Sequence, residues 1–327
     1  MKHRSRRNPY FQPPPPPGSD PLETVLMVTA GALGLTGVSW AAWKLLQPGT
    51  AEASALAFPS PPEAPAMDAI DTSTLLGFSP MSAADSSGGG LLTGSAFLAS
   101  VQGLPDATRE QAVIRAALAG SIPARSRPSV PIPVSAGGHS GFFYVAPDVL
   151  AIGTDGDFVR TPLGARGAQS LADQLGWSLL TKRMSDLVWS AGTVKLDPES
   201  FSPASGESHN ALRLWIASHQ AIEQQRAGRD GLVVGINKDE ILSRENAAHP
   251  GKVTIYGWHR PTGRPIQGGP PFYTGHSDTY TDYSQAPRYA AGMIVDGQQV
   301  RVEDVLKDAT LAPLLSDEGR IPDPGYR

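Results

Sequence analysis

Residues 252–288 read KVTIYGWHRPTGRPIQGGPPFYTGHSDTYTDYSQAPR. The segment opens on a β-type apolar run, TIYGW, is broken by Gly/Pro clusters, and then concentrates histidine, aspartate, tyrosine and arginine. Polar chemistry on a loop held by a rigid strand is where sites usually sit. The rest of the chain is expected to present this segment.

Working outward, residues 231–236 and 253–258 read as strands, and residues 293–302, MIVDGQQVRV, as a hairpin turning at Asp296-Gly297. A short helix from Glu303 follows. Upstream, residues 106–119 predict a helix with a capping box at Thr108 and Gln111 and a stop at Gly120. Prolines 123, 128, 131 and 133 carry the chain in extended form to strand-like residues 142–153. Thr161-Pro162 opens a helix that ends at Gly176, and Thr181 caps another that ends at Gly192. A longer helix is expected over 208–227. This order predicts an α+β fold, with helices mainly in the first half and an antiparallel sheet mainly in the second half of one globular domain spanning 96–327.

The N-terminal third reads differently. Lys2, Arg4, Arg6 and Arg7 make a basic tail, and Pro13 to Pro17 make a stiff extended spacer. Residues 24–43, TVLMVTAGALGLTGVSWAAW, carry no charge, and about 20 such residues span a bilayer. With basic residues before the run and none from Gln47 until Arg109, a single-pass anchor is expected, with the N-terminus cytoplasmic and the bulk extracytoplasmic. The run is longer than the apolar core of a cleaved signal, so the anchor is expected to stay. Residues 47–95 are rich in Ala, Ser, Pro and Gly and read as a disordered linker. A net charge of -4 without a basic face gives no reason to propose nucleic acid as a partner. The chain has no cysteine, which excludes disulfides, thiol nucleophiles and thiolate metal sites.

His276, Asp278 and Asp282 stand at spacings of two and four. Imidazole and carboxylates together suit a divalent cation such as zinc, with His259 as a further nitrogen. Without metal, the same groups make a base and its orienter, with Ser284 or water as the attacking group. Tyr280 and Tyr283 can stack on a sugar or stabilise an oxyanion, and Trp258 and Arg288 complete a set of substrate contacts. The alternative is structural: aspartates in such a loop also tie backbone amides, and His259 also suits a core position. Lys238-Asp239-Glu240 could be a charged site edge but reads rather as a solvated strand end, and Asp148, Asp155 and Asp157, which resemble a calcium loop without its downstream glutamate and full spacing, read as a turn. Trp177, Trp189 and Trp215 read as core.

Five blocks carry a resemblance: GTDGDFVRTPL (153–163), AQSLADQLGWSLLTKRMSDLVW (168–189), VTIYGWH (253–259), GHSDTYTDYSQ (275–285) and LLSDEG (314–319). Together they resemble a family of bacterial and fungal proteins, often secreted, without an assigned activity. Members read DYSH where this chain has Asp282-Tyr283-Ser284-Gln285, and they have proline where Leu180 stands. If that histidine is catalytic or a ligand, the resemblance implies that Gln285 impairs this copy. Two functions follow as expectations. One is a membrane-tethered hydrolase of a cell-envelope polymer, a peptidoglycan or other glycan or peptide. The other is a non-catalytic envelope binder or scaffold using the Tyr/Trp/Arg-rich loop.

Overall fold

The computed structural model describes residues 91–327. The basic tail, the proline run, the expected anchor and nearly all of the expected linker lie outside them. Among the described residues no helix is long and apolar enough to cross a membrane.

Ordered structure begins at α1 (Gly94–Val101), whose Thr93 side chain accepts from the Ala96 amide. The globular part therefore starts slightly before the expected boundary at Ala96. In α2 (Asp106–Leu118), Val113, Ile114 and Ala117 form the buried stripe, but the preceding residue is Pro105 and no side chain caps the helix. The expected Thr108/Gln111 box is not made. The next helix, α3 (Ala165–Leu175), starts after Gly164 rather than at Thr161-Pro162, and it ends on left-handed Gly176 as expected. The Thr181 hydroxyl accepts from the Met184 amide to start α4 (Lys182–Ala191), which ends at Gly192. Next come α5 (Leu212–Arg226), the short α6 (Arg244–Ala248) and α7 (Val302–Lys307).

The fold is mixed α+β, but its strands are not confined to the second half. β1 (Val130–Ala136), the proline-bearing stretch, pairs with β2 (His139–Val145), and β3 (Ala151–Gly153) pairs with β4 (Phe158–Arg160). A four-stranded antiparallel sheet has the order β1-β2-β10-β11, where β10 is Ala290–Val295 and β11 is Gln298–Val300. It thus joins both halves of the chain. Prolines suit β1 because it is an edge strand. Asp296 and Gly297, both at positive φ, turn the β10–β11 hairpin as the Asp-Gly signal predicts. Two short strands, β5 (Val194–Lys195) and β6 (Val233–Val234), run parallel, and β7 (Lys238–Glu240), β8 (Ile255–His259) and β9 (Pro265–Gln267) form a three-stranded antiparallel sheet. One large apolar core runs beneath, through Phe97, Val113, Phe143, Leu163, Met184, Trp215 and Tyr289.

The polar segment 281–290, TDYSQAPRYA, is buried at every position. Buried backbone groups need partners, and this segment finds them on separate elements. Its carbonyls at Ser284, Gln285, Pro287 and Tyr289 accept from Lys238, Leu163, Leu150 and Ala146. The Arg288 guanidinium donates to the Ala146 carbonyl at 2.5 Å and to the Val233 carbonyl. It is 3% exposed, so it joins the four-stranded sheet to β6 and is not a surface contact for substrate. Replacing it leaves two buried acceptors without donors. We expect Arg288→Met to lower unfolding free energy in urea by about 2–4 kcal/mol, and a loss well under about 1 kcal/mol would contradict the clamp.

Candidate functional site

The loop rich in chemistry is fastened rather than free. Bridges Lys252↔Ser277 and Ile255↔Tyr273 lay it alongside β8. Asp278, 3% exposed, binds the Arg166 guanidinium at 2.7 Å, and its backbone amide donates to the Gly251 carbonyl. Asp282, 5% exposed, accepts the Ser284 amide and hydroxyl on one oxygen and the Lys238 ammonium at 2.8 Å on the other. Ser284 is 2% exposed. It is spent on this turn and is not positioned as a nucleophile.

His276 is partly exposed and stacks on Tyr280 with ring centroids 3.9 Å apart, while the Tyr273 ring meets it edge-on. Among the described residues it makes no ion pair, and its Nε2 lies 3.4 Å from the Tyr273 hydroxyl. Burial pulls its pKa below the usual imidazole value; the Asp282 charge opposes this, and Lys238, His209 and Lys252 add to it. Of the expected set of His276, Asp278 and Asp282, the two aspartates are engaged by Arg166 and by Lys238 and Ser284, while the Asp282 charge also acts on the His276 ring. Among the described residues no group of three His, Cys, Asp or Glu side chains is arranged to hold a metal ion. Of the expected substrate contacts, Trp258 and Tyr283 are buried, the latter accepting the Phe201 amide on its hydroxyl. Tyr280 alone of that group stays partly exposed.

His259 is placed differently. β8 does not alternate: Gly257 and Trp258 both take positive φ, 91° and 54°, and all five residues are buried. A bulky residue at positive φ is strained by about 1–3 kcal/mol, and such strain clusters at functional positions. This kink turns His259 so that its Nε2 faces Asp186 Oδ1 at 3.0 Å. The same oxygen accepts the Tyr256 hydroxyl at 2.7 Å, and Asp186 Oδ2 accepts Lys182 Nζ at 2.7 Å. Lys182 and Asp186 are one turn apart on α4, and Lys182 also reaches Asp317 at 3.2 Å. Because Nε2 faces a carboxylate, the imidazole proton is assigned there, which leaves Nδ1 as an acceptor.

His259 lines a small polar cavity together with Ser185, Trp189, Asn237, Asp239 and Arg288. Its water-accessible volume is about 20 Å³, room for a single water. A Cβ at Gly257 would stand 3.3 Å from Asp239 Oδ2 and 3.6 Å from His259 Nδ1. Glycine keeps that gap open. Burial pushes the Asp239 carboxyl up, against hydrogen bonds from Ser185 and Asn237, each 2.7 Å long. The Trp189 ring stacks on His259 as the outer wall, with centroids 5.8 Å apart. Trp189 thus belongs to the site as well as to the core.

Asp186, Tyr256, Lys182, Asp239 and Ser185 were not among the sequence candidates. The Lys182/Asp186 spacing is visible in the sequence, but the partner of Asp186 lies 73 residues away. Lys238-Asp239-Glu240 is not a solvated strand end: Glu240 is 3% exposed, and Lys238 and Asp239 are committed to partners. No family model, no curated protein and no solved structure matches the chain.

Burial alone would raise the Asp186 carboxyl, but hydrogen bonds from His259, Lys182 and Tyr256 and the Lys182 charge hold it down at about 2. A folded pKa below the unfolded value stabilises the fold at pH above the unfolded value of 3.8, and that stability is lost as pH falls through about 2. The stability advantage of wild type over Asp186→Asn is therefore expected to hold from pH 7 to pH 4 and to shrink between pH 4 and pH 2. Urea midpoints of both proteins across that range check it, and a constant difference down to pH 2 would refute the pairing.

Proposed function

We propose that the chain is a membrane-anchored extracytoplasmic hydrolase of a cell-envelope polymer, with His259 as its general base. The observation that carries this reading is the position of His259, held between the Asp186 carboxylate and a polar, water-sized cavity. Asp186 fixes the tautomer and stabilises the imidazolium that forms, by the logic of a base and its orienter. The Nδ1 lone pair takes the proton of a water in the cavity as that water adds to an acyl carbon, the carbonyl π pair moving onto oxygen; collapse of the adduct breaks the bond to the leaving amine or alcohol, which takes the proton back from the imidazolium. Asn237, which lines the cavity, supplies an amide dipole that favours the developing oxyanion. The uncharged run at 24–43 and the long linker suit an enzyme that works at reach from its own bilayer.

A second reading is favoured by one observation, the aromatic platform of Tyr273, His276 and Tyr280. Tyr273 is 44% exposed and the His276–Tyr280 pair is stacked and partly exposed. Such a surface suits a sugar ring in a non-catalytic envelope binder.

Turnover of purified envelope polymer by the full chain separates the two. His259→Ala is expected to lower the rate about 10²–10⁴-fold, while His276→Ala leaves it within about threefold and weakens binding. If His259→Ala matches wild type, the catalytic assignment fails. Under the binding reading, Tyr280→Ala reduces pull-down of the same polymer while no bond is cut by any variant.

A further inference from the structure

Beside the start of β6 lies a groove with about 510 Å³ of water-accessible space. Its walls are the turn at Ala124–Ser126, the start of β1, the end of α4 and the segment following α5. Three guanidiniums line it: Arg125, Arg226 and Arg229. Ligand sites of a few hundred Å³ typically combine apolar walls with a few charged groups, and here Val130, Pro147 and Leu232 supply the apolar part.

The charges do not cancel within the groove. Arg226 is bound by Glu223 at 2.7 Å and by Asp230 at 3.3 Å. Asp148 also lines the groove, but it is 1% exposed and held by both forks of Arg160, at 2.9 and 2.6 Å. Asp230, with a side chain 91% exposed, reaches out toward solvent. Arg229 donates only to the carbonyls of Arg226 and Gln225 and has no carboxylate partner among the described residues. Arg125 is barer still. Its guanidinium lies 4.4 Å over the Phe158 ring, and its buried Nε has no hydrogen-bond partner. The neighbouring His219 adds no positive charge near neutral pH, since burial and the Arg160 charge lower its pKa to about 4.

A guanidinium fork fixed over an aromatic ring, with a second arginine lacking a counter-ion on the same wall, is suited to planar, bidentate recognition of an anion. Thr193 sits at the floor, where a Cβ at Gly231 would fall 2.2 Å from its hydroxyl, so the chain there stays close and the groove stays open.

We infer that this groove binds a small amphipathic anion, a carboxylate or phosphate monoester on an apolar body, with Arg125 and Arg229 holding the head group. The site is independent of the acid–base reading of His259.

Isothermal titration calorimetry of the full chain with benzoate, phenyl phosphate and uncharged benzyl alcohol tests it. At least one of the two anions is expected to bind at about 1 mM or tighter, and the stronger one identifies the head group. Benzyl alcohol is expected to bind at least about tenfold more weakly, and Arg125→Ala to weaken the anion by about tenfold or more. Because the Arg125 side chain donates no hydrogen bond among the described residues and loses only its contact over the Phe158 ring, the melting temperature of the variant should stay near that of wild type. If Arg125→Ala does not fold, Arg229→Gln serves as the second variant with the same expected loss. The inference is overturned if neither anion gives heat at about 10 mM, if benzyl alcohol binds as well as the anions, or if a folded Arg125→Ala or Arg229→Gln binds the anion like wild type.

Discussion

Burying a polar segment is costly unless its donors and acceptors are met, and residues 281–290 are buried throughout. What meets most of them is the rest of the molecule, although the Thr281 hydroxyl finds no partner. Asp282 reaches Lys238 on β7, Gln285 reaches Glu240 on the same strand, Arg288 reaches the carbonyls after β2 and in β6, and the Tyr289 hydroxyl reaches the Ala168 carbonyl in α3. Apolar burial sets the scale of stability, but it is non-directional. These directional bonds select how three small sheets and a helix are arranged around one core, and so decide where β8 presents its last residue.

That last residue is where local strain and long-range pairing meet. A regular strand would alternate, placing Tyr256 and Trp258 on opposite faces from Gly257 and His259. The positive φ at Gly257 and Trp258 breaks that alternation. Tyr256 and His259 then converge on one carboxylate oxygen of Asp186, the Tyr256 and His259 rings meeting edge-on at 5.5 Å. Lys182 occupies the other oxygen, so Asp186 stays ionised while deeper Asp239 is pushed toward its neutral form. Two carboxylates in unlike surroundings beside one imidazole are the usual raw material of acid–base chemistry.

Whatever is written in a few consecutive residues was legible in the sequence: the Thr181 cap, the Gly176 and Gly192 stops, the Asp296-Gly297 turn and the mixed helix and strand content. Three features were not. The start of α3 at Ala165 rather than after Thr161-Pro162 is set by its packing, with Ala165, Ala168, Leu171 and Ala172 all buried. The four-stranded sheet pairs β2 with β10, some 150 positions apart in the chain, and no local pattern encodes that register. The partners of the loop's aspartates were hidden for a related reason. Composition says that His276, Asp278 and Asp282 need partners, but not whether those partners are a substrate or the protein's own Arg166 and Lys238.

Gln285 shows how burial bears on the reading of a residue type. The resemblance to a DYSH block reads glutamine as the loss of a reactive histidine, but position 285 is 0% exposed, and a side chain there reaches no substrate. Its amide oxygen accepts from the Asp282 amide at 2.7 Å and its amide nitrogen donates to Glu240 at 3.0 Å. A neutral imidazole also carries one acceptor and one donor, so either residue can bridge these two groups. Burial, with the charges of Glu110, Asp282 and Asp239, pushes the Glu240 carboxyl well up, and its second oxygen has no partner. A neutral amide therefore suits a neutral acid, and an imidazolium at 285 would shift Glu240 back toward its charged form. The residue at this position bears on the charge state of the buried bridge between β7 and the segment 281–290.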